Sequence, residues 1–569
     1  MNGAVRHTPE LARIQALPRR QPQDEQKLAD ELTALLRAPG GTMQLRRVQA
    51  LALFEIGTWG GAFLPIGVGE GKTLISLMAP YVLEAERVLL LCPASLIAKT
   101  EADVAEYSKD FLVPKNIRIM SYTMLGLEQS SKELETFNPD LIVADEVHKL
   151  KNRQAAVTKR VARWMHAHPE TRFIGMSGTI MNKSLLDFGH ILRWCLKDRS
   201  PIPKTTEELE EWASALDESV AGRPGDELLR LEPGALLQFA TREPTSSGTD
   251  LERARRGFRA RLVETPGVVS TAGDPEKVDC SLLIRGHVLK TKPITDQHFD
   301  KLRNEMKTPD DWDLFTGVDV WRHARELALG FHSIWDPRPP QEWLTPRKEW
   351  NAFVREVLKY SRTIESPLQV EMGCDEGRYP DDALRAWRAV EPTYTPNVVE
   401  VWHDDSALEW CVKWMKAGPG IVWTDHVFFA RRLAERTGAP YYGESGLTDA
   451  GQSIERGNGK EAIIASARAN REGRNIQKIW WRNLITSVGE SAQAMQQLLG
   501  RTHRPKQPAD EVIVDVLFSC REHAVAWERA LASTIAVRDT VGGAPAKLLL
   551  ADIDVPSPDA FRSLAGHRW

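Results

Sequence analysis

Short apolar runs that alternate with amphipathic stretches are the feature that most restricts the fold of this chain. Five such runs, each the length of a buried strand, follow one another in the N-terminal third: Ala62–Ile66, Val88–Cys92, Ile117–Ser121, Leu141–Ala144 and Phe173–Met176. The stretches between them have the length and polarity of helices. This order predicts a parallel sheet with helices on both faces.

The same pattern returns towards the C-terminus. Strands are predicted at Gly420–Trp423, Ile476–Trp480 and Glu511–Phe518, with helices at about 425–437 and 491–500. We therefore expect a second α/β lobe.

The region between the two lobes has a different texture. Nine tryptophans occur between residues 300 and 415, and strand periodicity is weak there, so the region is predicted to be mainly helical. The predicted divisions are a 1–43 N-terminal extension, a first lobe over 44–200, a helical insertion over 201–404, a second lobe over 405–530 and a 531–569 tail.

The composition narrows the partners and the compartment. The net charge of the 569 residues is −4, so any nucleic acid must be met by a local basic groove. The longest apolar run, Val88–Ala98, is too short for a bilayer, and we expect no membrane association. The six cysteines lack metal or disulfide spacing. We expect an intracellular location, in the cytoplasm of a bacterium or of a virus-infected cell.

The octapeptide IGVGEGKT, Ile66–Thr73, stands between the first apolar run and a helical stretch. Glycines such as Gly69 and Gly71 let backbone N–H groups approach phosphates. Lys72 would neutralise phosphate charge, and the Thr73 hydroxyl would hold Mg²⁺. The alternative is a strand-to-helix turn without a ligand.

The sequence Asp145-Glu146-Val147-His148 follows another apolar run. Acidic groups at the carboxyl end of a strand lie where open α/β sheets bind ligands. Asp145 would hold Mg²⁺, and Glu146 would orient and deprotonate the attacking water. The alternative is a solvated acidic loop end.

The segment Gln497–Arg504, QLLGRTHR, falls in a predicted helix of the second lobe. Arg501 and Arg504 are three residues apart and would share one helix face. Such a pair suits arginine fingers that stabilise charge on a transferring phosphoryl group. The alternative is an exposed basic helix.

Two further features leave alternatives open. Five arginines between Glu252 and Arg261 could follow a phosphate backbone or form a solvated basic helix. The tryptophans of 312–414 could stack on bases, but core packing is the favoured interpretation.

Taken together, the motifs resemble those of a superfamily-2 DExH helicase or translocase, closest to the Swi/Snf-type branch of the P-loop NTPases. In the order of that family they are Leu45–Gln49 (Q-motif), Gly67–Thr73 (I), Cys92–Leu96 (Ia), Asp145–Asn152 (II), Ser177–Thr179 (III), Ile421–His426 (IV), Gly473–Gln477 (V) and Gln497–Gln507 (VI). The resemblance covers about 44–200 and 405–520.

The resemblance implies two RecA-like lobes with ATP and Mg²⁺ in the cleft between them. It assigns nucleotide and magnesium binding to Gln49, Gly67, Gly69, Glu70, Gly71, Lys72, Thr73 and Asp145, with Thr73 and Asp145 on the metal. It assigns catalysis to Glu146, Gln497, Arg501 and Arg504, and the coupling of hydrolysis to movement to His148, Ser177 and Thr179.

The chain departs from the family pattern at five positions. Ile66 opens the phosphate loop where Gly is usual, Ile180 replaces Pro, Asn182 replaces Gln, Arg474 replaces Leu and Lys506 replaces Gly. These departures put the branch in question and leave the phosphate chemistry intact.

The leading interpretation is an ATP-dependent DNA helicase or translocase that moves along DNA, with double-stranded DNA favoured. One alternative is an RNA-dependent helicase, which the DExH pattern also permits. Another is a nucleotide-switched DNA clamp or recruitment protein that does not translocate. The protein partner is not specified by the sequence.

Overall fold

The computed structural model describes residues 3–67, 70–177, 184–217, 231–240, 248–270, 278, 280–361, 363–443, 446–471, 474–540 and 547–550. The chain divides into two compact units, Met1–Glu276 with Ala532–Ala546 and Lys277–Leu531 with Lys547–Trp569. Each unit is built around its own parallel sheet. The protein is therefore α/β, with two parallel-sheet lobes of the RecA-like kind.

The first unit carries a five-stranded sheet in the order β1-β5-β4-β2-β3, with every pair parallel. Its strands are β1 (Ala62–Leu64), β2 (Val88–Cys92), β3 (Ile117–Ser121), β4 (Leu141–Asp145) and β5 (Arg172–Met176). Its helices are α1 (Pro9–Ala16), α2 (Glu25–Leu36), α3 (Arg47–Trp59), α4 (Lys72–Val82), α5 (Ile97–Tyr107), α6 (Tyr122–Gly126), α7 (Glu133–Phe137), α8 (Ala156–Ala167), α9 (Gly189–Leu196), α10 (Thr206–Leu216) and α11 (Asp250–Val263).

The apolar runs of this sheet have a simple physical origin. Every residue of β2 and β4 is buried, because helices cover both faces of a parallel sheet, and only Asp145 at the carboxyl end of β4 is charged. The predicted strands at Val88–Cys92 and Ile117–Ser121 are confirmed at their predicted bounds. The run from Ala62 shortens to three residues, since the chain leaves the sheet at Leu64 to form the loop.

Segments outside the predicted first lobe contribute to the core of the first unit. Helix α1 buries Leu11 and Ile14 in the same apolar cluster that receives Trp212 from α10 and Phe258 from α11. Beyond α11 the chain returns to the sheet, where Phe63 N donates to Gly267 O over 2.8 Å. The structure thus differs from the predicted division, which set 1–43 and everything after 200 apart from this lobe.

The second unit carries a six-stranded parallel sheet in the order β10-β11-β9-β12-β13-β6, and a separate antiparallel pair β7-β8. Its strands are β6 (Ser281–Val288), β7 (Phe331–Trp335), β8 (Val398–Trp402), β9 (Gly420–Thr424), β10 (Tyr441–Tyr442), β11 (Ala462–Ser466), β12 (Arg482–Ile485) and β13 (Glu511–Phe518). Its helices are α12 (Pro293–Asp300), α13 (Gly317–Leu327), α14 (Gln341–Tyr360), α15 (Pro367–Asp375), α16 (Asp382–Val390), α17 (Ser406–Lys416), α18 (Val427–Thr437), α19 (Ala467–Asn470), α20 (Ala492–Leu499) and α21 (Arg521–Thr540), whose last residues are counted with the first unit.

Strand β6 lies inside the region 201–404 that was predicted to be mainly helical. It pairs with β13 along its full length, from Ser281 beside Glu511 to Val288 beside Phe518. Only Ile284 of this strand is buried, while Leu282 packs partly against the same core. The apolar run of β6, Leu282–Ile284, is three residues long and is followed by Arg285, which is too short a signal to indicate a strand. Helices α12–α16 and the β7-β8 pair follow it, before β9.

The strand predicted at Ile476–Trp480 is wrong, because the chain forms a turn there and the strand is β12. Ile476 and Trp480 are both buried, and the amides of Ile479 and Trp480 donate to Ile476 O. A turn that satisfies its own backbone groups can bury apolar side chains without extending.

Two of the five arginines in the basic stretch of α11 are packing residues. Arg255 donates to Leu216 O over 2.7 Å and Arg261 to Pro18 O over 2.9 Å, and both side chains are buried. These two arginines are therefore neither exposed to solvent nor available to contact a phosphate backbone. Several of the tryptophans, among them Trp343, Trp350 and Trp414, are core residues as favoured. In the described part of the chain, no helix has the length and apolar character needed to cross a bilayer.

One buried carboxylate holds the edge strand β6 against its neighbour β13. Asp515 of β13 accepts two hydrogen bonds from Arg285, one from the Trp414 indole over 2.7 Å, and lies 2.7 Å from His287 Nε2. Burial alone would raise the pKa of Asp515, but its hydrogen bonds to His287, Arg285 and Trp414 hold that pKa well below its ordinary value. The edge strand is therefore held by charge as well as by backbone pairing.

Replacing this carboxylate should weaken the second unit. Asp515→Ala leaves the donors of Arg285 and Trp414 without their acceptor, and we expect a loss of about 3 kcal/mol in the free energy of unfolding. Urea unfolding followed by tryptophan fluorescence measures the loss. Asp510→Ala, at an exposed position just before β13, should stay within about 0.5 kcal/mol of the wild type. Equal stability of the two variants would contradict this role of Asp515.

Candidate functional site

The predicted phosphate loop leads from β1 into α4. Gly71 caps the helix in the left-handed conformation, with φ 76°, so that Lys72 begins an eleven-residue helix whose N-terminus faces the loop. The Lys72 ammonium folds back into the loop, 3.2 Å from Ile66 O and 3.4 Å from Gly67 O. Thr73 is the second residue of α4. Gly69 lies outside the described residues.

Gln49, the predicted adenine-reading residue, lies against this loop. Its side chain is buried, and its amide nitrogen is 3.4 Å from the carbonyl oxygens of both Glu70 and Gly71. Its amide oxygen accepts from Arg46 N over 2.9 Å. A Cβ atom on Gly71 would stand 2.0 Å from the Gln49 amide nitrogen. A side chain at position 71 would therefore displace the Gln49 amide and strain the left-handed backbone.

The acidic pair stands at the carboxyl end of β4. Glu146 takes a left-handed conformation with φ 54°, and its amide donates to Asp145 Oδ1 over 3.0 Å. This turn directs the Glu146 carboxylate to within 3.7 Å of Lys72 Nζ. The buried Tyr122 hydroxyl donates to Asp145 O over 2.7 Å. A non-glycine residue with positive φ costs free energy, and here it joins the acidic motif to the loop lysine.

Burial and neighbouring charges set the ionisation of the two acids in opposite directions. Burial, and next the charge of Glu146, raise the pKa of Asp145 to about 6. Burial would also raise the pKa of Glu146, but the Lys72 charge and hydrogen bonds with His148 and Ser177 hold it below its ordinary value. Glu146 is thus ionised at neutral pH and can accept hydrogen bonds.

His148 and Ser177, the predicted coupling residues, both contact Glu146. Ser177 Oγ donates to Glu146 Oε2 over 3.0 Å, and His148 Nδ1 lies 3.2 Å from the same oxygen and 3.0 Å from Ser177 Oγ. Ser177 directly follows β5. The three side chains therefore tie the end of β4 to the end of β5. Thr179 lies outside the described residues.

The residues present fit a nucleotide with magnesium. Among the described residues, no group of three or more His, Cys, Asp or Glu side chains could hold a metal by itself. Mg²⁺ commonly takes only one or two protein oxygens and completes its shell with phosphate and water. Asp145 and Thr73 could each offer one such oxygen, and a divalent cation would offset the burial that raises the pKa of Asp145.

Gln497, Arg501 and Arg504 belong to the second unit, and their local structure differs from the prediction. Helix α20 ends at Leu499, so the two arginines lie in the turns beyond it and do not share a helix face. They converge all the same, because Arg501 Nη1 and Arg504 Nη1 lie 3.0 and 3.4 Å from the carbonyl oxygen of Arg474. Arg501 Nε also donates to Gln497 O over 3.1 Å. The motif V and motif VI segments are thus joined by hydrogen bonds.

The sequence interpretation missed Glu455. Its carboxylate accepts from the amide of Asn475 over 2.8 Å and lies 3.5 Å from Arg474 Nη1. An acid in a polar loop looks like any solvated acid, and its contact is with residues some twenty positions away. No sequence signal near Glu455 indicates this contact.

Comparison with known proteins gives a distant and partial likeness. No family model matches the chain. A rice protein (Oryza sativa subsp. japonica) described as DNA repair and recombination protein RAD54 is 29% identical over a 161-residue alignment. That alignment covers 22% of this chain and 16% of the relative, so the chain matches about a sixth of the relative's length. The likeness and the two parallel sheets agree with the resemblance drawn from the motifs.

A side chain at position 71 of the phosphate loop should weaken nucleotide binding. Gly71→Ala places a Cβ atom against the Gln49 amide at a left-handed position, so the loop or Gln49 must move. We expect affinity for a fluorescent ATP analogue to fall by about tenfold or more. Gly40→Ala is the matched control, because Gly40 has φ 83° with nothing within 4 Å of the added Cβ. An equal loss of nucleotide affinity in both variants would show that backbone strain, and not contact with Gln49, causes the effect.

Proposed function

We propose that this protein is an ATP-driven DNA translocase or helicase of superfamily 2. The observation that carries the proposal is the contact of the loop lysine with the acidic motif at the carboxyl edge of the first sheet. Lys72, Glu146 and the His148–Ser177 pair form one connected group there. A strand-to-helix turn without a ligand gives no reason to bury such a group.

The first unit supplies the groups that phosphoryl transfer to water needs. Lys72 and the N-terminus of α4 would hold the phosphates, and Gln49 would lie against the loop that carries them. Thr73 and Asp145 would hold Mg²⁺, which supplies charge neutralisation for the phosphate oxygens. Glu146, ionised at neutral pH, would orient a water molecule and accept its proton.

The coupling role that the resemblance implies for His148 and Ser177 is supported by their contact with the same Glu146 oxygen. When Glu146 accepts a proton on Oε1 or Oε2, its capacity to accept hydrogen bonds from Ser177 falls. The hydrogen bonds that join β4 to β5 would then change with each hydrolysis step. The roles of Gln497, Arg501 and Arg504 at the phosphoryl group stay predictions from the resemblance.

DNA as the partner is supported by the motif order and by the rice relative, which is described as a DNA repair and recombination protein. Double-stranded DNA is favoured because the motifs are closest to the Swi/Snf-type branch. An RNA-dependent helicase and a nucleotide-switched clamp are the alternatives that the first experiment separates.

The first experiment is steady-state ATP hydrolysis without nucleic acid and with duplex DNA, single-stranded DNA or RNA. In a DNA translocase each hydrolysis step is coupled to movement along bound DNA. We therefore expect duplex DNA to stimulate the hydrolysis rate about tenfold or more. Triplex displacement under the same conditions then tests for movement. Stronger stimulation by RNA would transfer the proposal to RNA. Equal rates in all four conditions, without displacement, would favour the clamp.

Two substitutions in the first unit should separate binding from hydrolysis. Lys72→Ala should lose ATP binding, because it removes the cation at the loop. Glu146→Gln should bind ATP but hydrolyse it about 100-fold more slowly, because the amide cannot accept the proton. Binding of a fluorescent ATP analogue and single-turnover hydrolysis measure the two effects. The exposed Lys132→Ala and Glu135→Gln are matched controls. Wild-type hydrolysis by Glu146→Gln would remove Glu146 from its role.

A further inference from the structure

We propose that Glu455 is a positioning residue that sets the arrangement of Arg501 and Arg504 by clamping the motif V segment. The inference rests on the proposed function, because its consequence is a change in ATP hydrolysis. Glu455 belongs to none of the motifs that the sequence resemblance includes. Its effect passes through the backbone of Arg474 and Asn475.

Glu455 is held in place by its own short turn. The turn Ile454–Arg456 begins at Ser453, whose hydroxyl accepts from the amide of Glu455 over 3.4 Å. Ile454 is fully buried in the core that covers one face of the second sheet. The carboxylate is therefore presented from an anchored backbone, although its side chain remains about one-third exposed.

The two oxygens of the Glu455 carboxylate contact two adjacent residues of motif V. One accepts from the amide of Asn475 over 2.8 Å, and the other lies 3.5 Å from Arg474 Nη1. A hydrogen bond between a carboxylate and a backbone amide is about twice as strong as a neutral one. Glu455 thus fixes both the backbone and the side chain of this segment.

The same segment receives the two arginines. Arg474 O accepts from Arg501 and from Arg504, and Asn475 Oδ1 accepts from Arg504 over 3.1 Å. Arg501 is buried at this contact. A shift of the Arg474–Asn475 backbone therefore displaces the acceptors of both guanidinium groups, and small displacements of catalytic groups reduce turnover strongly.

Gly446 completes the clamp from the other side. It has φ 72°, and a Cβ atom there would stand 2.3 Å from Arg474 Nη2 and 3.0 Å from Asn470 Oδ1. The Arg474 guanidinium is therefore confined between Gly446 and the Glu455 carboxylate. Arg474 stands where the family pattern has Leu, a side chain that a carboxylate could not pair with. The pairing of Glu455 with Arg474 is thus a feature of this chain.

The test compares Glu455→Ala and Glu455→Gln with Glu461→Gln, an exposed acid just before β11. We expect kcat for ATP hydrolysis with duplex DNA to fall about tenfold in Glu455→Ala and less in Glu455→Gln, which keeps one acceptor for Asn475. Affinity for a fluorescent ATP analogue should stay within about twofold of the wild type, because the phosphate loop belongs to the first unit. Glu461→Gln should keep the wild-type kcat.

The split between kcat and nucleotide affinity distinguishes positioning from general destabilisation, which would lower the urea midpoint of the second unit as well. Glu455→Gln serves as the informative variant if Glu455→Ala does not fold. Wild-type kcat in both Glu455 variants, or an equal fall in Glu461→Gln, would overturn the role of Glu455 alone. A wild-type protein that does not hydrolyse ATP would overturn the proposed function, and this inference with it.

Discussion

The pairing of Glu146 with Lys72 is the interaction on which the candidate site depends. Both groups are largely withdrawn from water, and a buried charge is costly unless an opposite charge and hydrogen bonds compensate it. Lys72 compensates from the loop, and Ser177 from the end of β5. The ends of three neighbouring strands are therefore held together by one carboxylate. This arrangement explains why the chain tolerates a left-handed backbone at Glu146.

How much the sequence could predict depends on whether an element is buried on both faces. Strand β2, which is buried at every position, was predicted at its observed bounds. The motif resemblance implied that Gln49 and Lys72 lie at the phosphate loop, where the structure has them. Edge strand β6 is not predicted, because its apolar run, Leu282–Ile284, is only three residues long and Arg285 follows it. The turn at 476–480 resembles a strand in the sequence because buried turns and buried strands both carry apolar residues. The location, the DNA preference and the roles of the arginines stay predictions.

The limits of the two units were harder to predict from the sequence than their strands were. The motifs occupy only the parts of each sheet nearest to the chemistry, whereas the core of the first unit draws on α1, α10 and α11 as well. The apolar side chains of these helices have the spacing of any amphipathic helix. That spacing does not indicate which sheet a helix packs against. Long-range packing therefore assigned residues to units that composition and texture had divided differently.

Lys506 illustrates how a departure from the family pattern can leave a structure intact. The family has Gly there, and in this chain Lys506 keeps the left-handed backbone that Gly favours, with φ 68°. A lysine in that conformation costs about 1 kcal/mol. The next residue, Gln507, offsets this cost, because its amide donates to Thr502 O and Trp480 O over 2.9 and 3.0 Å. These bonds span the turn that carries Arg504 and fasten it to the buried turn after motif V. The left-handed backbone at Lys506 is thus stabilised by the hydrogen bonds of the neighbouring Gln507 side chain.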